Sequence, residues 1–363
     1  MASLFFLFIL PFVVVLVILT VIVRPRPVRI PLKGRHVLIS GGSSGIGLAL
    51  ARRAAAEGAH VSILARDPDR LRDACNAIRL ATGVEAAALA ADVRDSEAVA
   101  CALEAAGHID VLVCNHGVFL PQELDRQSLE EVRFTVEVNL MGTFHLIKAA
   151  LPAMKQRAKE SGLPAAIAIM SSQAGQVICI TTPETISIWI SLQVGVYGYT
   201  AYSASKFGLR GLAEALQHEV IADNIHITLI FPPDTETPGL AEVEVIFSVI
   251  KSITALQNQV CFLIAERKRR PEVTNMIAAS SGGMNADDVA QKALHGLKSA
   301  QFVVPCNFEG TMLSIATAGL SPQRSYLMAF VEVLGAGFMR FLGLCFQWNW
   351  FNIIDKWYTK KSM

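Results

Sequence analysis

Tyr202 and Lys206 stand four residues apart in Tyr-Ser-Ala-Ser-Lys, a spacing that puts both on one face of a helix. A phenol, with a reference pKa of about 10, is a weak proton donor or acceptor at neutral pH. An ammonium held beside it stabilises the phenolate, so the pair could move a proton at a reacting oxygen. Upstream, an apolar run ends in Ser171-Ser172, whose hydroxyls can hydrogen-bond a carbonyl as charge develops on its oxygen. Asn139 is a polar residue in the apolar stretch Val138-Asn139-Leu140-Met141-Gly142 and must find partners there. It either holds a water in a proton relay or caps a local kink. His116, in Asn115-His116-Gly117, invites a general-base reading. A single His in such a turn, without a partner, is better read as a turn or cofactor-contact residue.

A second group of residues points to a dinucleotide. Gly41-Gly42-Ser43-Ser44-Gly45-Ile46-Gly47 separates an apolar run from a helical pattern, with glycines spaced Gly-x-x-x-Gly-x-Gly. A glycine turn between strand and helix lets backbone N–H groups and the positive helix end approach a pyrophosphate. At the end of the next apolar run stands Ala65-Arg66-Asp67, with Arg70 one turn on. Enzymes that take NAD usually present an acid here, whereas Arg66 and Arg70 would pair with a 2′-phosphate, which predicts NADPH. Two solvated arginines at a helix start are the competing reading. Asp92 would lie near the adenine or is a generic acid at a strand end. Asn115 and Gly117 follow Val111-Leu112-Val113-Cys114 at the edge where ligands bind in open α/β sheets.

These residues need a scaffold of alternating strands and helices, and the chain shows one. Strands are predicted at His36–Ser40, His60–Ala65, Glu85–Ala90, Val111–Asn115, Ala165–Met170 and His226–Phe231. Helices fall between them, among them Gly45–Glu57, Pro68–Leu80 and Ser203–Ile221. The fold class is therefore α/β: a single Rossmann-type, doubly wound parallel sheet.

Ahead of it, Ser3 to Val23 carries no charge and is long enough to span a bilayer as a helix. A cleaved signal peptide would have a basic start, a shorter apolar core and a small-x-small site, none of which is present. Arg24, Arg26, Arg29, Lys33 and Arg35 follow the span, which places the rest of the chain in the cytosol. Residues 1–24 are thus read as a transmembrane anchor, 34–300 as the catalytic domain, and 301–363 as a hydrophobic, membrane-associated region. Within the last, Tyr326–Phe351 is interrupted by Glu332 and Arg340, which suits an interface better than a clean crossing.

Hydrophobic residues make up 52% of the 363, in keeping with contact to lipid. Lys and Arg number 32 against 31 Asp and Glu, so there is no basic field to collect nucleic acid. The seven cysteines form no CxxC pair and have no neighbouring His, which argues against zinc and against a disulfide framework.

Taken in order, Gly41, Gly45, Gly47, Asn115, Gly117, Asn139, Ser172, Tyr202 and Lys206 resemble the motifs of the short-chain dehydrogenase/reductase family over residues 34 to about 240. Within it, the stretches 41–47, 171–176, 200–207, 210–217 and 232–239 are similar to those of reductases acting on long-chain sphingoid ketones. The resemblance implies hydride transfer from NADPH with Tyr202 as acid, Lys206 lowering its pKa, and Ser172 or Ser171 orienting the carbonyl. Asn139 completes a proton relay, and the Pro232 loop covers the nicotinamide. It further implies the cytosolic face of the endoplasmic reticulum and a homodimer, while the apolar anchor and flanks point to a lipid bilayer as partner. Lys360-Lys361-Ser362-Met363 resembles a dilysine retrieval signal, though a basic tail beside an anionic leaflet would look the same.

One departure stands out. The family places its serine about thirteen residues before the tyrosine, whereas Ser172 and Tyr202 are thirty apart. Val177–Gln193 and Val243–Ala265 read as insertions at the active-site face, in the manner of retained noncoding sequence or a splice variant. The first either loops outward harmlessly or falls across the substrate mouth, and the expectation taken from the two together is an impaired form.

Overall fold

A computed structural model of the chain describes residues 2–23, 28–175, 197–236, 283–339, 341 and 359, with side chains from residue 10 onward. Apolar runs rich in Val, Ile and Ala form β1 (His36–Ser40), β2 (His60–Ala65), β3 (Ala87–Ala90), β4 (Val111–Cys114), β5 (Ala165–Met170) and β6 (Ile225–Phe231). Two two-residue strands follow, β7 (Thr235–Glu236) and β8 (Met284–Asn285), and then β9 (Val303–Pro305). Seven of them make one parallel sheet ordered β3-β2-β1-β4-β5-β6-β9. Every residue of β4, β5 and β6 is buried, as a sheet covered on both faces requires.

The covering helices are α2 (Gly45–Ala56), α3 (Pro68–Thr82), α4 (Ser96–Ala106), α5 (Leu129–Val136), α6 (Gly142–Ser161), α7 (Thr200–Val220), α8 (Ala286–Lys298) and α9 (Phe308–Ala316). One core joins Leu50, Ile78, Val289 and Leu297 of α2, α3 and α8 to one face of the sheet. The other joins Val99, Leu146, Met154 and Leu209 of α4, α6 and α7 to the opposite face. Strand order reverses between β1 and β4, and a crevice opens outside their carboxyl ends.

At the opposite, amino edge, Arg35 and Asp110 form an ion pair of 2.9 Å with side chains only 5% and 4% exposed. Asp110 also accepts from the His36 N–H at 2.9 Å, and Arg35 donates to the Pro164 carbonyl at 3.2 Å. The pair therefore ties the starts of β1, β4 and β5 together.

The predicted alternation and parallel sheet are as found, with shifted ends. β3 begins at Ala87 and not Glu85, and β4 stops at Cys114 and not Asn115. Helix α7 starts at Thr200 and not Ser203, so Tyr202 lies inside its first turn. Strand β9 was not anticipated. Helix α1 covers Ala2–Val23, and among the described residues no helix is long and apolar enough to cross a membrane. Residues 326–339 are helical. This C-terminal helix buries Ala329 and Met339, the latter against Ile315, and its Phe330 ring meets Phe12 of α1 edge-on at 6.4 Å. The insertions 177–193 and 243–265, and the basic tail from Lys360, lie outside the described residues.

Candidate active site

Helix α7 presents Tyr202 and Lys206 toward the carboxyl end of β5. Lys206 is 4% exposed, donates from Nζ to the Met170 carbonyl at 3.0 Å, and lies 5.5 Å from the centre of the Tyr202 ring. Among the described residues no carboxylate pairs with it. Burial pushes its ammonium down to about 8. A buried charge kept without a counter-ion acts strongly on a neighbouring phenol, because little solvent screens it. Tyr202 itself is half-buried, and Phe119 and Tyr199 pack around it with ring centres 4.9 and 6.2 Å away. That aromatic wall could not be read from the chain, since Phe119 comes from a loop more than eighty residues upstream.

The two serines part company. Ser171 is buried, and its hydroxyl donates to the Lys206 carbonyl at 3.1 Å, which docks α7 onto β5. Ser172 is half-buried, and its oxygen accepts from the Ala174 N–H at 3.1 Å in a local turn. Among the described residues its own hydroxyl hydrogen has no acceptor, so Ser172 is the one of the two able to donate to a carbonyl oxygen. Gln173 then bridges to the neighbouring elements: its N–H donates to the Pro232 carbonyl at 3.0 Å and its side chain to Asn307 at 2.6 Å. Pro232 thus stands beside the serine turn. Gly175 and Tyr197 flank the stretch containing 177–193, and β7 pairs with β8 across the stretch containing 243–265.

Asn139 is fully buried in a π turn, Glu137–Met141, between α5 and α6. It accepts from the Val118 N–H at 2.7 Å and donates to the Val118 carbonyl at 3.0 Å and to Ser205 at 3.1 Å. Ser205 in turn donates to the Tyr202 carbonyl at 2.7 Å. Asn139 thus sits in a local kink of the helix, and its side chain links the Asn-His-Gly loop to the start of α7. Irregular turns of this kind collect at functional sites.

The residues predicted to hold a dinucleotide converge on the crevice at β1 and β4. Gly41 and Gly45 adopt φ of +64° and +53°, where a side chain would be strained. A Cβ on Gly47 would meet the Gly41 carbonyl at 2.2 Å, and Asn115 donates to that same carbonyl at 3.3 Å. Ser44, at the N-cap of α2, makes no side-chain cap, whereas Asp67, Asp95, Ser128, Asn285 and Asn307 cap theirs. The first N–H groups of α2 therefore remain for an anion, with Ser43, Ser44 and Ile46 around them. This open cradle fits a pyrophosphate.

At the end of β2, Asp67 is committed to capping α3, accepting from the N–H of Asp69 and Arg70. Arg66 and Arg70 are exposed and, among the described residues, form no ion pair. The Arg94 guanidinium grips the Asp92 carboxylate at 2.7 Å and holds its pKa below the usual carboxylate range, with a smaller pull from Arg66.

A family model described as short chain dehydrogenase matches residues 35–184 and 185–245, two stretches that meet inside 177–193. A 3-dehydrosphinganine reductase of Arabidopsis thaliana is 54% identical over 94% of this chain and 92% of its own. That of Danio rerio is 31% identical over 96% of this chain and 93% of its own. A solved structure, L-sorbose reductase from Gluconobacter frateurii with NADPH and L-sorbose, aligns with a TM-score of 0.57 at 22% identity. It covers 78% of this chain and 99% of that one, and at such identity speaks for the fold alone.

Proposed function

The chain belongs to the short-chain dehydrogenase/reductase family, and we propose that it reduces the keto group of 3-ketosphinganine to give sphinganine, with NADPH as the hydride donor. The observation that carries the chemistry is the buried Lys206 ammonium beneath the Tyr202 ring, paired with no carboxylate among the described residues. Tyr202 gives its proton to the carbonyl oxygen as negative charge develops there, and Lys206 stabilises the phenolate that is left. Ser172 donates to the same oxygen, while Ser171 keeps α7 seated on β5. Asn139 holds the loop after β4 and the first turn of α7 in register, next to any water that returns a proton to Tyr202.

Bound NADPH supplies hydride from its nicotinamide ring. Gly41, Ser43, Ser44, Gly45, Ile46 and Gly47 would hold its pyrophosphate, Arg66 and Arg70 its 2′-phosphate, and Asn115, Gly117 and Pro232 its inner half. The phosphate preference is supported by Asp67 facing its own helix while the two guanidiniums face solvent.

Apolar α1 and the exposed stripe Leu327, Val331, Leu334 and Phe338 on the C-terminal helix support a bilayer-bound protein. In the same reading the site faces the cytosol at the endoplasmic reticulum and the protein pairs as a homodimer. A substrate with a long acyl chain then keeps its tail in lipid while the ketone reaches Tyr202. The test is sphinganine formation by membranes carrying this chain, given 3-ketosphinganine with NADPH or NADH, beside a version lacking 177–193 and 243–265. Product with NADPH and little with NADH is expected, more from the trimmed version if the insertions impair the site. No product from either version would return the assignment to other lipid ketones such as steroids or retinoids.

A further inference from the structure

A π turn breaks the regular helical ladder, so its carbonyls need partners from elsewhere. The Val138 carbonyl, one residue before Asn139, lies 3.1 Å from Nε2 of His116. Nδ1 of the same ring lies 2.7 Å from the Ser40 hydroxyl at the end of β1. A carbonyl can only accept, so Nε2 carries the hydrogen and Nδ1 must accept; the Ser40 hydroxyl, which also lies 3.2 Å from the Val113 carbonyl, gives its one hydrogen to the nearer ring nitrogen. The Ser40 oxygen also accepts from the Asn115 N–H at 3.1 Å. Both nitrogens of His116 are engaged, and the ring has one tautomer and one orientation. Its surroundings are close: a Cβ on Gly142 would come within 3.0 Å of Nε2. On the next residue, a Cβ on Gly117 would lie 3.3 Å from Asn139 Oδ1 and 3.6 Å from Lys206 Nζ.

We infer that His116 is a positioning residue for the ketone reduction proposed above: its ring locks the π turn to the start of the cofactor turn and so fixes Asn139 and the first turn of α7. The inference rests on that reading of the site. Both ring nitrogens are taken by Ser40 and the Val138 carbonyl, and desolvation of the ring, then the Lys206 charge, push its pKa down to about 3, so it stays neutral, as a positioning ring requires.

Three replacements separate positioning from proton transfer. His116→Gln keeps an N–H at the reach of Nε2, His116→Asn keeps only an acceptor at the reach of Nδ1, and His116→Ala keeps neither. Misplacing a reacting group slightly is costly, so His116→Ala and His116→Asn should lower kcat by roughly 10- to 100-fold with NADPH affinity kept, while His116→Gln retains most of it. Amide hydrogen exchange over residues 136–143 should quicken in the Ala and Asn proteins and not in the Gln protein. Wild-type kcat in His116→Ala, a Gln protein as poor as the Ala protein, or unchanged exchange would each overturn the inference. Should His116→Ala not fold, the Gln and Asn proteins decide alone. A wild type that forms no sphinganine would sink the reductase reading, while exchange still shows whether His116 holds the turn.

Discussion

The two edges of the sheet each bury a cation, and they treat it in opposite ways. At the amino edge Arg35 is matched by Asp110, with Arg157 adding a second contact to that carboxylate at 3.4 Å. At the carboxyl edge Lys206 receives a backbone carbonyl and an aromatic ring. The first cation is neutralised and serves only to hold three strands. The second is left with its charge, which costs stability and is available to a neighbouring phenol. A buried cation without a counter-ion, beside a group of high pKa, is therefore a sign of chemistry, whereas a buried ion pair is a sign of architecture.

The contrast can be broken most decisively at Lys206. Lys206→Met should lower turnover by about 10³-fold, the scale of a lost proton-transfer group with its electrostatic support. It should also raise the melting temperature near pH 7. The folded-state pKa of Lys206, about 8, lies below its ordinary value of 10.5, so folding disfavours the charged form. The resulting penalty, about 3 kcal/mol, is full below pH 8, shrinks as pH rises through that value, and vanishes above the unfolded pKa. A Met protein that melts lower than wild type would contradict an uncompensated charge.

At the other edge, Asp110→Asn leaves Arg35 buried and unpaired, and should destabilise by about 3–5 kcal/mol in a denaturant titration. Turnover per folded molecule should not change, and a selective loss of kcat would erase the distinction between the edges. The smallest effect sharpens the comparison: kcat/KM for NADPH, which reports the free enzyme, should fall as pH rises through about 8, where Lys206 loses its proton. Lys206→Arg should move that fall to higher pH, and a profile flat to pH 10 would exclude Lys206 as its source.

How far these features were legible in the chain depends on whether spacing or contact defines them. The glycine turn, Asn115-His116-Gly117 and Tyr202 with Lys206 are spacing motifs within single turns, and the structure brings them to one crevice. Strand β9 was not legible, because three residues carry no periodicity. Nor was the division of labour between Ser171 and Ser172, whose neighbouring side chains leave the backbone toward different partners. The clasp at His116 and the aromatic wall at Phe119 depend on groups more than twenty residues away, and no local pattern announces them.

The most direct test of the account is Tyr202→Phe, which removes the one proton that Lys206 is held in place to govern. The protein should bind NADPH with nearly wild-type affinity and form no sphinganine from 3-ketosphinganine above background. Normal turnover by Tyr202→Phe would contradict it.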